Sequence, residues 1–263
     1  MQIMMDEGAR RVVRIDPFEC AIVVYPELES TPLKGKFELH LGERGCAGRF
    51  ENAEYVPCTS EHSPYCELCR PFNPCAVCTG VCLKSVMDCT TPHSIYLALF
   101  SPDLIKVGVS RSERLEKRLR EQGADMGVEV ARCENGQIAR VIEHRLKSMV
   151  GDRVSTASKL KGLAKPLSTQ RWDEVLACVE PIGTLSRQSY FDEPLPTEPL
   201  PVKLKEHSTL AGRGLGCKGN IFVFESVGML HAIDMRQLLG FELLSEPQEA
   251  VVQAGLGYFN NEG

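Results

Sequence analysis

The stretch SIYLALFSPDLIKVGVS at residues 94–110 determines how the central part of the chain folds. It contains two runs in which apolar residues alternate with polar or small ones, which is the pattern of two half-buried strands. Ser101-Pro102-Asp103 lies between the runs and predicts a turn. Because alternate side chains of a strand point to opposite faces, Tyr96 and Lys106 share the face away from the apolar set and can be neighbours.

The sequence after these strands predicts a helix, a strand and a second helix. The first helix runs from Ser112 to Gln122 and ends at Gly123, and Val128–Arg132 has the pattern of a strand. The second helix follows the turn Asn135-Gly136, and its apolar residues fall on one face. These residues are Ile138, Val141, Ile142, Leu146 and Met149. The predicted order is ββαβα, in a protein of the α+β class.

Strand-like sequence flanks this centre on both sides. Glu19–Tyr25 and Lys36–His40 precede it, and NIFVFESVGMLHAID at residues 220–234 predicts a hairpin with its turn at Gly228. The tetrapeptide GCAG at 45–48 has a counterpart in GCKG at 216–219. This similarity suggests the hypothesis that the two ends of the chain form one β-rich module.

These patterns predict five regions of the chain. They are a β-rich N-terminal region at 1–56, a Cys-rich metal-binding module at 57–92, a ββαβα domain with a basic extension at 93–180, a Pro-rich linker at 181–207 and a β-rich C-terminal region at 208–263.

Cysteines give the strongest chemical signal, because seven of the 12 lie within 32 residues. The units Cys66-x2-Cys69 and Cys75-x2-Cys78 have the spacing with which a tight turn directs two thiolates at one metal ion. We expect these four to bind structural zinc, and four further residues are the next candidates. The further candidates are Cys82, Cys89, Cys58 and His93.

Other readings of the cysteines stay open. An iron–sulfur cluster is the alternative, because Cys75-x2-Cys78-x3-Cys82 matches part of a ferredoxin cysteine run. Disulfides in this segment are disfavoured for a protein of the reducing cytosol. The remaining five cysteines are scattered, and we expect them to be small core residues. They are Cys20, Cys46, Cys133, Cys178 and Cys217.

Composition and charge limit the class of protein and of partner. With 43% hydrophobic and 25% charged residues the composition is that of a globular protein. The apolar runs are far shorter than the roughly 18 residues of a membrane helix, and the first residues lack the apolar region of a secretory signal, so we expect a cytoplasmic protein with no membrane partner. The net charge is −5, yet residues 106–171 hold 15 basic and 8 acidic residues, which favours a polyanionic partner.

The central residues resemble the GIY-YIG endonuclease superfamily over about residues 94–150. The resemblance lies in SIY on the first strand, KVG on the second, Arg118 on the first helix and Glu143 on the later helix, in the order ββαβα. The KVG form is similar to a branch in which Lys replaces the second motif Tyr, and Ser94 stands where the motif has its first Gly. The Cys-rich segment before HSIYLALF, with EQGAD after the first helix, resembles a prokaryotic family of unknown function.

The superfamily resemblance implies a phosphodiesterase that uses one metal ion. Tyr96 would activate or orient the attacking water, with Lys106 beside it as an electrostatic aid or base. Arg118 would neutralise the scissile phosphate, and Glu143 would hold Mg²⁺, which stabilises the leaving oxygen. Basic residues around the site would contact flanking phosphates. They are Arg111, Arg114, Lys117, Lys159, Lys161 and Lys165.

The expected function is nucleic-acid binding, of RNA no less than of DNA, with metal-dependent phosphodiester hydrolysis as the enzymatic activity that this site would support. Two alternatives stay open. One is a non-catalytic, zinc-containing protein that binds RNA or the ribosome, and the other is an iron–sulfur protein that modifies RNA.

Overall fold

The computed structural model describes residues 10–71, 81–82, 84 and 89–247. The chain divides into two compact units. One unit contains the chain up to Pro71 together with the chain from Pro199 onward, and the other is Phe72–Glu198.

The described residues are rich in strands. The strands are β1 (Arg10–Asp16), β2 (Ala21–Tyr25), β3 (Glu29–Pro32), β4 (Gly35–Arg44), β5 (Arg49–Glu51), β6 (Glu54–Val56), β7 (His93–Phe100), β8 (Leu104–Arg111), β9 (Met126–Cys133), β10 (Ser186–Arg187), β11 (Leu200–Pro201), β12 (Ser208–Lys218), β13 (Ile221–Ser226), β14 (Met229–Asp234) and β15 (Phe241–Leu244). The helices are α1 (Leu115–Gln122), α2 (Gly136–Val150), α3 (Thr156–Leu160) and α4 (Gln170–Ala177), with short 3-10 turns at Ser112–Arg114 and Met235–Leu238. None of the helices in this part of the chain has the length and apolar character needed to cross a membrane.

The two ends of the chain build one sheet in the first unit. Its order is β11-β14-β13-β12-β4-β15-β1-β2-β3, so β4 from the N-terminal part lies between β12 and β15 from the C-terminal part. A disulfide joins Cys20 to Cys217 across a sequence separation of 197 residues. Both cysteines are buried, as expected of core residues, and they meet because the sheet brings β12 into the same core as the turn before β2.

The predicted hairpin near the C-terminus is confirmed. β13 and β14 pair antiparallel from Ile221↔Asp234 to Ser226↔Met229. Val227 and Gly228 form the two-residue turn, both with positive φ (50° and 72°), which is the geometry of a tight hairpin turn and favours glycine.

The second unit contains a four-stranded antiparallel sheet in the order β10-β9-β7-β8. The predicted order of two strands, helix, strand and helix is observed over β7, β8, α1, β9 and α2. β7 is an inner strand, since it pairs with β8 on one side and with β9 on the other.

The expectation that the first strand is half-buried is wrong. Ile95, Leu97 and Leu99 pack in a core with Ala139 of α2 and Trp172 of α4. The opposite face of β7 packs in a second core, in which Tyr96 and Phe100 meet Leu119 of α1. Helices cover both faces of the sheet, so alternating polarity is not required in β7.

Part of the predicted linker at 181–207 belongs to the second unit and packs in it. Ile182 N–H donates to the Glu129 carbonyl oxygen at 3.0 Å, and β10 pairs with β9. The Tyr190 hydroxyl donates to the Ala124 carbonyl at 2.6 Å. Backbone pairing and a half-buried tyrosine therefore hold a stretch that the prolines marked as a linker.

A buried polar network fixes the start of β7. The Ser94 hydroxyl donates to Glu129 Oε1 at 2.5 Å, and the Ser94 and Ser112 hydroxyls are 2.7 Å apart. Arg132 Nε and Nη2 donate to the two Glu129 oxygens at 2.8 and 2.7 Å. Arg132 and the Ser94 hydroxyl hold the pKa of Glu129 below its ordinary value against the effect of burial.

We expect Glu129→Gln to destabilise the protein at pH 7 by about 1–3 kcal/mol, because hydrogen bonds to a charged carboxylate are lost in a buried place. The folded pKa is lowered, so this stabilisation is complete above the unfolded pKa of about 4.3 and disappears as pH falls through the folded pKa. Urea unfolding of the wild-type protein and of Glu129→Gln between pH 7 and pH 3 measures the difference between their free energies of unfolding. The exposed Glu134→Gln is the control, and a difference that stays constant with pH would contradict the assignment.

Candidate functional site

Four cysteines of the first unit converge at one point. The Sγ atoms of Cys46, Cys58, Cys66 and Cys69 all lie within 4.8 Å of one another. The Cys58 and Cys66 sulfurs are 3.8 Å apart, far beyond the 2.05 Å of a disulfide bond. A tetrahedral zinc ion with Zn–S bonds of about 2.3 Å requires sulfurs about 3.8 Å apart. The donor set and its spacing fit one zinc ion.

Local folding places each thiol. Cys46 follows β4 in a turn where its backbone N–H donates to the Ser60 carbonyl at 2.8 Å. The hairpin of β5 and β6 separates Cys46 from Cys58. Cys66 and Cys69 share a tight turn, in which Cys69 N–H donates to the Cys66 carbonyl at 3.2 Å. The C-x2-C unit therefore brings two thiols together, as its spacing predicts, and the other two thiols of the cluster flank the β5–β6 hairpin.

The thiols of the cluster differ in how readily they lose a proton. Burial raises the pKa of Cys58 and raises that of Cys69 to about 12, whereas at Cys66 hydrogen bonds from the other thiols outweigh burial and lower the pKa to about 7. The Arg49 guanidinium lies 3.9 Å from the Cys69 sulfur, and the Cys66 N–H donates to the Cys46 sulfur at 3.4 Å. A divalent ion would displace the protons, and these donors would stabilise the resulting thiolates.

The four clustered cysteines differ in part from the expected zinc ligands. Cys58, Cys66 and Cys69 are in the cluster, whereas Cys82, Cys89 and His93 belong to the second unit. Cys75 and Cys78 lie outside the described residues. Cys46 was expected to be a small core residue; it is buried, and its thiol also lies close to the three others. The sequence feature that marks Cys46 is its place between Gly45 and Gly48 in GCAG, because glycines permit tight turns.

A second polar site forms on the ββαβα segment around Tyr96. The phenol extends across Gly108, its partner in β8, where an added Cβ would lie 2.5 Å from the Tyr96 Cζ and Oη atoms. When the side-chain amide oxygen of Gln122 faces Arg118, it accepts hydrogen bonds from Arg118 Nε at 2.9 Å and Nη2 at 3.1 Å. The same oxygen lies 2.8 Å from the Tyr96 hydroxyl. Gln122 was not expected to take part.

The other expected site residues lie within electrostatic reach of this group. Burial raises the pKa of Tyr96, with Arg118 opposing the effect and Glu143 adding to it, so the phenol is neutral at pH 7. Burial lowers the pKa of Lys106, and the Arg118 charge lowers it further, whereas Glu143 opposes the change. Arg118 and Glu143 thus both act electrostatically on Tyr96 and on Lys106.

The carboxylate and the guanidinium of this site already have partners. Arg140 Nη1 is 2.7 Å from Glu143 Oε2. Lys147, four residues after Glu143, pairs with Asp152 at 2.7 Å. Arg118 is 3.5 Å from Glu121 and keeps 46% of its side chain exposed, so its guanidinium is open to an external anion.

The basic residues expected to contact phosphates divide into two groups. Arg111, Lys161 and Lys165 are exposed, and so is Lys117. Arg114 is also exposed but pairs with Glu121 at 3.0 Å. Lys159 points inward: its ammonium donates to the Gln122 carbonyl at 2.6 Å and lies 4.6 Å from the Phe100 ring centroid.

These features define a strand-rich α+β protein with a four-thiol centre that could bind a metal ion. The chain belongs to a family described as proteins of unknown function, DUF2797, whose model matches residues 40–243. The match begins within β4 and ends within β15, and it contains both the cysteine cluster and the Tyr96 group. The expectation of a family of unknown function is confirmed, and the resemblance to GIY-YIG endonucleases stays a prediction. No curated protein and no solved structure gave a match.

We expect chelation of the four-thiol centre to unfold the β5–β6 hairpin, because this hairpin has three-residue strands and two thiol ligands at its ends. Hydrogen exchange over residues 45–71 should accelerate after metal removal and slow again when zinc is restored. Cys46→Ser should reproduce the acceleration, while Cys178→Ser, at an exposed free cysteine, should leave the exchange unchanged. Equal protection with and without metal would contradict a structural zinc.

We expect Gly108→Ala to destabilise the second unit by about 1–3 kcal/mol, since the new methyl group would overlap the Tyr96 ring. Denaturant unfolding of Gly108→Ala, Tyr96→Ala and the double variant forms a thermodynamic cycle. The double variant should be more stable than the sum of the single effects predicts, because removal of the ring relieves the overlap. Additive effects would argue against the crossing of Tyr96 over β8.

Proposed function

We propose that this protein binds nucleic acid through the Tyr96 group, as a GIY-YIG-like site, and cleaves phosphodiester bonds there with the help of a divalent ion. The supporting observation is that the guanidinium of Arg118 on α1 and the carboxylate of Glu143 on α2 both act electrostatically on Tyr96 of β7 and on Lys106 of β8. These residues are far apart in the chain, and their types match the roles that the resemblance implies.

Arg118 is the group that would meet the phosphate. Nearly half of its side chain is exposed, while Gln122 holds its Nε and Nη2 from behind. A guanidinium fixed in this way can donate its remaining hydrogens to a phosphate oxygen without first losing much conformational freedom. Tyr96 is buried to 1% exposure, so its role would be to hold Arg118 and Gln122 in place rather than to take a proton.

Lys106 is the better candidate for proton transfer. Its pKa is lowered by burial and by Arg118, which raises the fraction of neutral amine available to accept a proton from water. Lys106 stands where the GIY-YIG motif has its second Tyr, which is consistent with such a role.

Glu143 would hold Mg²⁺, and its environment fits a hard cation only after a rearrangement. The carboxylate now pairs with Arg140, so a divalent ion must compete with this guanidinium. When bound, Mg²⁺ would stabilise charge on the leaving oxygen. Asp152 influences the same lysine as Glu143 and is a second carboxylate on this side of the site.

The Arg140–Glu143 ion pair also favours a second candidate function, a zinc-containing protein that binds RNA or the ribosome without cleaving it. In that case the arginine would permanently replace the cation and would add to the positive surface. Exposed Arg111, Lys117, Lys161 and Lys165 would serve binding in both functions.

We expect Mg²⁺-dependent cleavage of a labelled RNA or DNA by the full-length protein. Glu143→Gln should lower the cleavage rate about 100- to 1,000-fold, and Arg118→Lys should lower it to a similar extent, because both groups stabilise transition-state charge. Glu134→Gln, an exposed carboxylate outside the site, is the matched control and should keep full activity. Gel assays with a panel of single- and double-stranded substrates give the measurement.

Binding measured in parallel separates the two candidate functions. Affinity should fall steeply with salt concentration and should weaken in Lys161→Ala/Lys165→Ala. Salt-sensitive binding with no cleavage would favour the non-catalytic protein, and the absence of binding to every substrate would contradict both. A brown preparation that absorbs near 400 nm would instead support the iron–sulfur alternative.

A further inference from the structure

We propose that the first unit binds unpaired bases of single-stranded nucleic acid on a surface of three aromatic rings with an arginine beside them. The residues of this stacking surface are Tyr25, Tyr55, Phe50 and Arg14. The surface is separate from the Tyr96 group, which belongs to the other unit. The inference rests on the proposed function in one respect, that nucleic acid is the ligand, and it does not require cleavage.

The three rings contact one another in series. Phe50 of β5 and Tyr55 of β6 are cross-strand partners, and their ring centroids are 5.3 Å apart. The Tyr55 ring in turn lies 5.1 Å from the ring of Tyr25, the last residue of β2. The series therefore connects the β5–β6 hairpin to the main sheet of the first unit.

The middle ring and the hairpin that carries it are fixed. The Tyr55 hydroxyl donates to the Ala47 carbonyl oxygen at 3.2 Å, and a Cβ added to Gly48 would lie 2.6 Å from this hydroxyl. Asn52 and Ala53 close the hairpin as a two-residue turn, both with positive φ (49° and 72°). A surface formed in advance in this way loses little conformational freedom when a ligand stacks on it.

Phe50 is the exposed end of the series. Its exposed fraction is 42%, whereas Tyr25 and Tyr55 are half-buried. Of the aromatic side chains in the described part of the chain, Phe50 is the one that is exposed. An exposed phenylalanine supported by further rings is the arrangement on which proteins that bind single strands stack a base.

Arg14 places a positive charge at this ring. Its guanidinium carbon is 5.5 Å from the Phe50 ring centroid, which is the distance of a cation–π contact. The side chain of Arg14 is exposed, and none of the ion pairs within the described residues includes it. Its hydrogens are therefore open to an anion from outside the chain.

The carboxylates of the hairpin lie on its other face. Glu51 and Glu54 are cross-strand partners that alternate with Phe50 and Tyr55 along the two strands. Glu51 also has a partner of its own, because its Oε1 atom is 2.6 Å from Arg49 Nε. The face of the hairpin that carries Phe50 is thus aromatic and is bordered by an arginine.

This combination fits nucleic acid better than a peptide. An unpaired base has a flat π face that stacks on a ring, and its phosphate carries the charge that a nearby guanidinium binds. An apolar peptide would cover Phe50 but would leave the charge of Arg14 without an opposite charge.

Affinity for two strands of equal charge tests the inference. Fluorescence anisotropy with the full-length protein in Mg²⁺-free buffer compares a labelled oligo(dT) of about 15 nucleotides with an abasic strand of the same length. The wild type should bind oligo(dT) about 5- to 50-fold more tightly than the abasic strand, because stacking adds to the phosphate contacts. Phe50→Ala should lose this difference, and Phe50→Tyr should keep most of it. Val227→Ala, at an exposed apolar residue of another hairpin, is the matched control and should leave both affinities unchanged.

A second measurement reports on the ring position itself. The native Trp172 is buried, so Phe50→Trp introduces an exposed indole whose emission can be compared with that of the wild type. Oligo(dT) should quench the emission of the introduced indole by stacking on it, and the abasic strand should not. This variant keeps an aromatic ring at the site and so does not depend on a destabilised hairpin.

Each result decides the inference. Preference for oligo(dT) that Phe50→Ala loses, together with quenching in Phe50→Trp, establishes the stacking surface. Equal affinity for both strands, unchanged by Phe50→Ala but weakened by Lys161→Ala/Lys165→Ala, overturns it and leaves the proposed function standing. The absence of binding to either strand contradicts both. A co-purifying protein that Phe50→Ala loses, with oligo(dT) affinity unchanged, would make this a protein-docking surface and overturn the inference.

Discussion

The structure of the second unit depends on the burial of β7 on both faces. This strand pairs with β8 and β9, packs Ile95, Leu97 and Leu99 against α2 and α4, and packs Tyr96 and Phe100 against α1. A strand that is fixed on every side cannot shift its register without moving all its side chains to the wrong face. That constraint holds the Tyr96 hydroxyl at one point, and the residues contributed by α1 and α2 are arranged around it.

The first unit depends on a different kind of constraint. In its sheet, β4 from the N-terminal part lies between β12 and β15 from the C-terminal part, and the disulfide between Cys20 and Cys217 joins the two parts in the core. The region around the four cysteines has short strands and few large buried side chains, so a metal ion held by the thiols would supply much of its stability. Arg11 connects the two parts, since its guanidinium contacts the Cys46 carbonyl oxygen and pairs with Glu242 of β15.

Burial changes the pKa values of the polar groups around Tyr96. Burial raises the pKa of the Tyr96 phenol and lowers that of the Lys106 amine, so it favours the neutral form of both groups. Arg118, Arg140 and Glu143 also carry charge here, and of these Arg118 is the most exposed. An incoming polyanion would therefore meet a guanidinium first.

Periodicity was enough to predict the order ββαβα and the hairpin at Gly228, because these features depend on neighbours in the chain. The shared face of Tyr96 and Lys106 followed from strand geometry in the same way. The roles of Gln122 and Lys159 could not be predicted, because both are set by contacts with Arg118, Tyr96 and Phe100 that sequence spacing does not encode.

The sequence by itself determined the secondary structure of the centre and the presence of a thiol-rich segment suited to a metal. Only the tertiary structure decided which thiols meet. Cys46 joins Cys58, Cys66 and Cys69 because β4 and the following hairpin bring distant chain segments together, and Cys20 meets Cys217 across almost the whole chain. The physical reason is that ligation depends on distance in space, and local propensities specify only distance along the backbone.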